Sequence, residues 1–97
     1  MRKFKDLLSF QWDKGNYNKN WLKHKVTNKE CEESFFDQNR RIYRDEFHSK
    51  REKRYVLLGK TKKDRLLFIS FTKRGSKIRV ISARKMDKKK LRLYYRK

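Results

Sequence analysis

Residues Arg65 to Arg84 read RLLFISFTKRGSKIRVISAR and hold the longest apolar run of the chain. Leu66 to Thr72 is rich in aromatic and β-branched residues, Arg74-Gly75-Ser76 supplies turn chemistry, and Ile78 to Ala83 resumes the strand pattern. The stretch therefore predicts a β-hairpin whose two strands sit in the middle of a sheet. A period of two puts Ile78, Val80 and Ser82 on one side of the second strand and Arg79, Ile81 and Ala83 on the other. Arg79 would then leave the sheet from an apolar face beside Ile69 and Phe71. An unpaired guanidinium is costly there, so it requires a wet cleft or an anionic partner, and a phosphate is one.

Upstream of the hairpin, Leu8, Phe10 and Trp12 alternate within a first strand over Phe4 to Trp12, and Asp13 follows as a helix N-cap. From Lys14 a short polar helix is expected, with Tyr17, Trp21 and Leu22 packing to hold it, because Gly15, Asn16, Asn18 and Asn20 all lower its propensity. Thr27 and Glu30 form a capping box for a second helix that buries Cys31, Ser34 and Phe35. Arg40 to Arg44 reads as an edge strand protected by arginines, Asp45 to Glu52 as a loop, Arg54 to Leu58 as a strand, and Gly59 to Asp64 as the turn into the hairpin. After Arg84, Asp87 caps a last helix that frays unless the sheet covers Leu91 and Tyr94. Short connections between strands favour an antiparallel sheet with the helices on one side, an α+β fold.

Ninety-seven residues make one domain, residues 1–97, with a single core. Lys and Arg number 31 against 11 Asp and Glu, giving a net charge of +20 that strains a compact state unless a polyanion or an acidic protein screens it. Part of that excess is ordinary solvated lysine. Charged residues make up 43% and mean hydropathy is −1.25, but 14% aromatic residues in clustered runs allow a core to form. One cysteine excludes an internal disulfide and a cysteine-based zinc cluster, and no apolar run suits a signal peptide or a membrane span. A cytoplasmic protein is expected.

No P-loop, dinucleotide-binding glycine turn, HExxH or nucleophile elbow occurs, so cofactor chemistry is not expected. The informative sets are His24 with Lys23, His48 with Glu52 and Arg54, and Arg79 with Arg84. RNA cleaves when its own 2′-hydroxyl is driven onto the adjacent phosphate. An enzyme for that reaction supplies proton carriers and cations, and needs no metal. Histidine and arginine suit those tasks. The same residues also have plain structural readings: a solvated histidine, a Glu52–Arg54 ion pair, and cations at a helix C-terminus for Lys23 and His24. Lys73, Arg74 and Lys77 around the turn, with Tyr94, are candidate RNA contacts; Tyr94 and Tyr95 are expected free, whereas Trp12, Trp21 and Tyr55 are expected in the core.

Phe10, Trp12 and Asp13, then Asn20, Lys23, His24 and Val26, then His48-Ser49, Glu52, Arg54, Leu58-Gly59, Phe71-Thr72, Arg74-Gly75 and the run from Ile78 to Arg84 stand in an order and spacing that resembles the BrnT toxin family of type II toxin-antitoxin systems. The resemblance covers about residues 8 to 94. It implies a RelE-like fold: an antiparallel sheet of about four to five strands, two helices in the N-terminal half and a short C-terminal helix. It also implies a ribonuclease that blocks translation when free and a tight complex with a BrnA-type antitoxin carrying a DNA-binding domain, operator DNA being reached only through that complex. Carried onto this chain, Lys23, His24, Glu52, Arg54, Arg79 and Arg84 are the catalytic candidates, with Arg79 and Arg84 on the scissile phosphate and His24 or Glu52 moving protons. Two departures stand out. Lys25 replaces a usual glycine at a helix end that favours a left-handed turn, and Lys90 replaces a common glutamate. The loss of that glutamate supports the alternative, a basic module that grips RNA or antitoxin without cleaving; a plain DNA-binding regulator ranks last, for want of a helix-turn-helix.

Overall fold

The computed structural model describes residues 8–96. Strand β1 (Ser9–Phe10) is followed by helices α1 (Lys19–His24) and α2 (Asn28–Ser34), then β2 (Arg41–Asp45), a 3-10 turn at Glu46–His48, β3 (Arg54–Lys60), β4 (Leu66–Arg74), β5 (Lys77–Lys85) and α3 (Lys88–Tyr95). The sheet order is β1-β5-β4-β3-β2, so the expected hairpin is β4 and β5, with β4 at the centre and β2 at an edge. The architecture is α+β. The sheet is mixed, not wholly antiparallel, because β1 pairs with β5 in parallel, Ser9 opposite Lys77 and Phe10 opposite Ile78. Of the expected first strand, residues 4–7 lie outside the described residues, and Ser9–Phe10 is the paired part. Among the described residues no helix is long and apolar enough to cross a membrane.

One face of the sheet packs against α2 through Val26, Cys31, Phe35, Leu57, Leu67, Ile69, Phe71, Ile78, Val80 and Ala83. Phe35 meets Phe10 and Phe71 edge-on at 5.2 and 5.0 Å, the arrangement ring quadrupoles favour. The capping box forms as read: the Glu30 amide donates to Thr27 Oγ1 and the Thr27 amide to Glu30 Oε1. Burial pushes the Cys31 thiol up to about 12, which leaves it an inert packing group.

The helices do not segregate to one side. The opposite face carries Val56, Leu58, Leu66 and Phe68, and α3 lies over them with Met86, Leu91, Leu93 and Tyr94. Asp87 Oδ1 accepts the Lys90 amide as the cap, so the sheet supplies the cover that this lysine-rich helix needs. Tyr94 is therefore not free for RNA: it is buried and its hydroxyl donates to Asp37, whereas Tyr95 is exposed. Helix α3 covers only the Leu58–Phe68 end of this face and does not reach the other end, where Thr72 is buried beneath its neighbours and Arg54 is half-buried.

The polar first helix departs most from expectation. Residues 14–18 are turns and α1 spans only Lys19–His24, with Asn18 as N-cap. Tyr17, Trp21 and Leu22 face solvent while Asn16 and Asn20 are buried. The cause is the edge of β5, which β1 leaves unpaired beyond Ile78. Asn16 Nδ2 donates to the Val80 carbonyl at 3.0 Å, Lys19 Nζ donates to that of Ile81 at 3.2 Å, and Asn20 Oδ1 accepts the Ala83 amide at 2.9 Å. Buried backbone groups need partners, and these side chains stand in for the missing strand. Trp12 packs partly against the core and donates to Glu32 Oε2 at 2.8 Å.

The C-cap of α1 is Lys25 at φ 55°, ψ 40°, the left-handed region, where a Cβ costs about 1–2 kcal/mol. Lys25→Gly should stabilise the protein by about 0.5–1 kcal/mol after the loss of the Lys25–Trp21 cation–π contact and the gain in unfolded-chain entropy are counted. Thermal melts should show an increase of several degrees; an unchanged or lower melting temperature would contradict this account of the cap.

Candidate functional site

Strand pairing assembles the site. Asp45 faces Arg54, Arg54 faces Thr72 and Thr72 faces Arg79, so one row crosses β2, β3, β4 and β5 on the open half of the face that carries α3. At about 4.8 Å per strand, Arg54 and Arg79 are separated by about 10 Å across β4. The expected alternation of β5 is broken by a bulge: Ser70 pairs with Ser82 and Phe71 with Val80, leaving Ile81 over. Ile78, Val80 and Ala83 thus share the core, Ser82 does not join them, and Arg79 lies on the face opposite Ile69 and Phe71.

Arg79 has an internal partner. Its Nη1 donates to Asp13 Oδ2 at 2.6 Å, while Asp13 Oδ1 accepts the Gly15 amide at 2.9 Å. Asp13 is therefore not the cap of α1; it opens the turn before it, its carbonyl accepting the amides of Asn16 and Tyr17. Glu52, just before β3, accepts from Arg74 Nε at 2.8 Å and Nη2 at 3.3 Å, not from Arg54. The hydrogen bond from Arg79 and then that from the Gly15 amide hold the Asp13 carboxyl below the usual carboxylate range. The Arg74 hydrogen bond does the same for Glu52, helped by the charges of Arg74, Arg54 and Arg79. Both are ionised near neutrality, so Glu52 arrives as a carboxylate and cannot serve as a proton donor.

A Cβ on Gly15 would sit 2.7 Å from Arg79 Nη2. The atom in the way ends a flexible side chain, so Gly15→Ala should displace the guanidinium and leave the fold intact. The expected outcome, in an assay of the RNA cleavage that the sequence resemblance implies, is a loss of about tenfold or more with a melting temperature within a few degrees of the parent; full activity would show that this guanidinium position is not needed.

The 3-10 turn brings a histidine to the same end. Asp45 Oδ2 lies 2.8 Å from His48 Nδ1, and Asp45 Oδ1 accepts the His48 amide. The hydrogen bond from His48 keeps Asp45 below the usual carboxylate range. With Nδ1 donating to a carboxylate, Nε2 is the nitrogen left to accept a proton. His48, Glu52 and Arg54 line one cleft of about 580 Å³ together with Phe47, Lys50 and Arg51. The backbone of the loop is held by Ser49, whose Oγ accepts the Arg54 amide at 2.9 Å.

The other expected site residues lie elsewhere. Lys23 and His24 end α1 at the far end of β4, where Arg65 donates from Nη2 to the His24 carbonyl at 3.4 Å and from Nη1 to that of Lys25 at 2.7 Å. Strand rise over the seven residues from Arg65 to Thr72 puts that end on the order of 20 Å from the row. Arg84 shares the face of Arg79 but is paired with Phe68, its exposed side chain placing the guanidinium 5.5 Å from that ring. Lys73 points to the α2 face, its ammonium 5.9 Å from the Tyr55 ring, while Lys77 faces Arg74 beside the turn.

Sequence reasoning missed Asp13 as the partner of Arg79, because 66 positions separate them. The Asp45–His48 pair carried a signal, an acid and a histidine three positions apart in a polar segment. Among the described residues no cluster of three or more His, Cys, Asp or Glu could hold a metal ion. Residues 12–90, which span the whole row and its cleft, match the family model of the ribonuclease toxin BrnT of type II toxin-antitoxin systems. No curated protein matches the chain.

Proposed function

Since the chain belongs to the BrnT family of ribonuclease toxins, we propose that it cleaves messenger RNA at the open end of the sheet, without a metal ion, and so stops translation in the cytoplasm. The observation that carries this reading is the convergence of His48, Glu52 and Arg54 on one cleft, two strands from Arg79. Imidazole is the side chain that changes charge near neutrality, and His48 Nε2 takes the proton of the ribose 2′-hydroxyl as that oxygen attacks phosphorus. The bond to the 5′-oxygen breaks and solvent in the open cleft protonates the leaving group. Arg54 and Arg79 meet the charge that builds on the phosphoryl oxygens, where aligned donors act most strongly. Glu52, held as a carboxylate, orients Arg74 beside them. Lys23, His24 and Arg84 have no part in this step.

A type II toxin has a cognate antitoxin. We take its form to be BrnA-like, with an acidic segment that meets the +20 surface and a DNA-binding domain through which the pair reaches its operator. The sheet and helix order suit a RelE-like toxin. His48→Ala and His24→Ala, assayed side by side on a labelled RNA, test the assignment: the first should lose cleavage by about 10²-fold or more and the second should keep it. The reverse order would move the proton carrier to α1, and tight binding of uncut RNA by the parent protein would favour the non-catalytic alternative.

A further inference from the structure

Phe47 is the most exposed large hydrophobic residue among those described, 87% accessible, and the core makes no use of it. It sits in the 3-10 turn whose geometry is held by Asp45 capping His48, so the ring is presented by a tied segment rather than a loose one. The His48 ring stands 5.9 Å away, tilted by 54°, so the phenyl ring that lines the cleft is not stacked on its neighbour. The remaining walls of the cleft are Lys50, Arg51 and Arg54 with Glu52. An aromatic plate bordered by cations, one residue from the candidate base and seven from Arg54, combines the two features that hold an unpaired nucleotide: a face on which any base stacks and charges that follow the backbone.

We propose that Phe47 is the stacking platform for an unpaired nucleobase next to the cleaved phosphate, and that this subsite restricts the protein to single-stranded RNA. The proposal rests on the cleavage reading above. In an A-form duplex the bases are stacked inside and cannot be laid on the ring, so a paired strand gains nothing from Phe47. Because every base has a π-face, the subsite selects strandedness and not sequence.

The test uses the full chain and a short 2′-O-methyl oligoribonucleotide, which binds but cannot be cut because its 2′-oxygen is blocked. Binding by fluorescence anisotropy should weaken by about tenfold or more in Phe47→Ala, equivalent to roughly 1.4 kcal/mol. It should stay within about twofold in Phe47→Trp, whose added indole should be quenched when the oligonucleotide binds. A duplex of the same length should bind all three proteins alike. Both variants should melt like the parent, since the ring is in solvent. Unchanged affinity in Phe47→Ala overturns the proposal, as does an Ala variant that binds RNA normally but loses its acidic protein partner, which would make the ring an interface residue. If the parent cleaves RNA while Phe47→Ala binds as tightly, the subsite alone fails; if the parent does not cleave, the reading beneath it fails.

Discussion

Arg79→Ala should lose about 10²- to 10³-fold in RNA cleavage, the usual effect of removing one donor from a transition-state oxyanion, while its melting temperature falls by no more than a few degrees. Fold and function separate at this residue because of what its partner becomes. Asp13 keeps 46% of its side chain accessible against 15% for Arg79, so water takes over the orphaned carboxylate, and a half-exposed ion pair contributes little to folding. Thr72, the neighbour in the row, stays satisfied through its own bond to the Lys53 carbonyl at 2.7 Å. Arg84→Ala should behave in the opposite way. Its guanidinium stacks on Phe68 beside Lys90 and Asp87, so the change should lower stability slightly and leave cleavage within a few-fold of the parent. Growth arrest on expression, purified-protein cleavage and thermal melts check the pair. A folded Arg79→Ala protein that still arrests growth, or an inactive Arg84→Ala, would place the phosphate elsewhere.

Mild acid should destabilise the protein. Asp13, Asp45, Glu52 and Asp87 are all held below their ordinary values, by hydrogen bonds from Arg79, His48, Arg74 and the Lys90 amide respectively. For Glu30, burial pulls the other way, and the Thr27 amide with Arg65 outweighs it. A carboxylate whose folded value lies below its unfolded value contributes stability that is fully present above the unfolded value, 3.8 for Asp and 4.5 for Glu, and is lost as pH falls through the lower folded value. Over the same window the 11 carboxylates cease to offset 31 Lys and Arg, and self-repulsion rises. At low salt the melting temperature should fall by several degrees between about pH 5 and about pH 3, chiefly through self-repulsion, and added salt should recover much of it by screening. A flat profile over that window would show that these pairs add nothing to the fold.

The elements that local chemistry dictates were legible in the sequence. The hairpin, the Thr27–Glu30 capping box, the Asp87 cap and the buried Cys31–Ser34–Phe35 face each depend on residues within a few positions of one another, and each forms as read. At Lys25, where a lysine in place of the usual glycine pointed to an altered local geometry, the left-handed turn is nonetheless kept. What escaped depends on distant pairing. Asn16 and Asn20 read as helix breakers until β5 is placed beside them with unmet backbone groups. The bulge at Ile81 moves Arg79 across the sheet, and no period of two can announce it. Neither could spacing show that α3 would cover one end of its face and so leave the other end for the Arg54–Arg79 row. Among the site residues, His48, Glu52 and Arg54, which the sequence grouped, line one cleft with Arg74 and Arg79 close to Glu52, whereas His24 lies at a helix end tied to Arg65.

The chemistry of the new RNA ends reports most directly on whether the ribose 2′-oxygen is the nucleophile. RNA digested by the purified protein in EDTA should carry a 2′,3′-cyclic phosphate on the upstream fragment and a 5′-hydroxyl on the downstream one. Fragments ending in 3′-hydroxyl and 5′-phosphate, or cleavage that stops when EDTA is added, would contradict it.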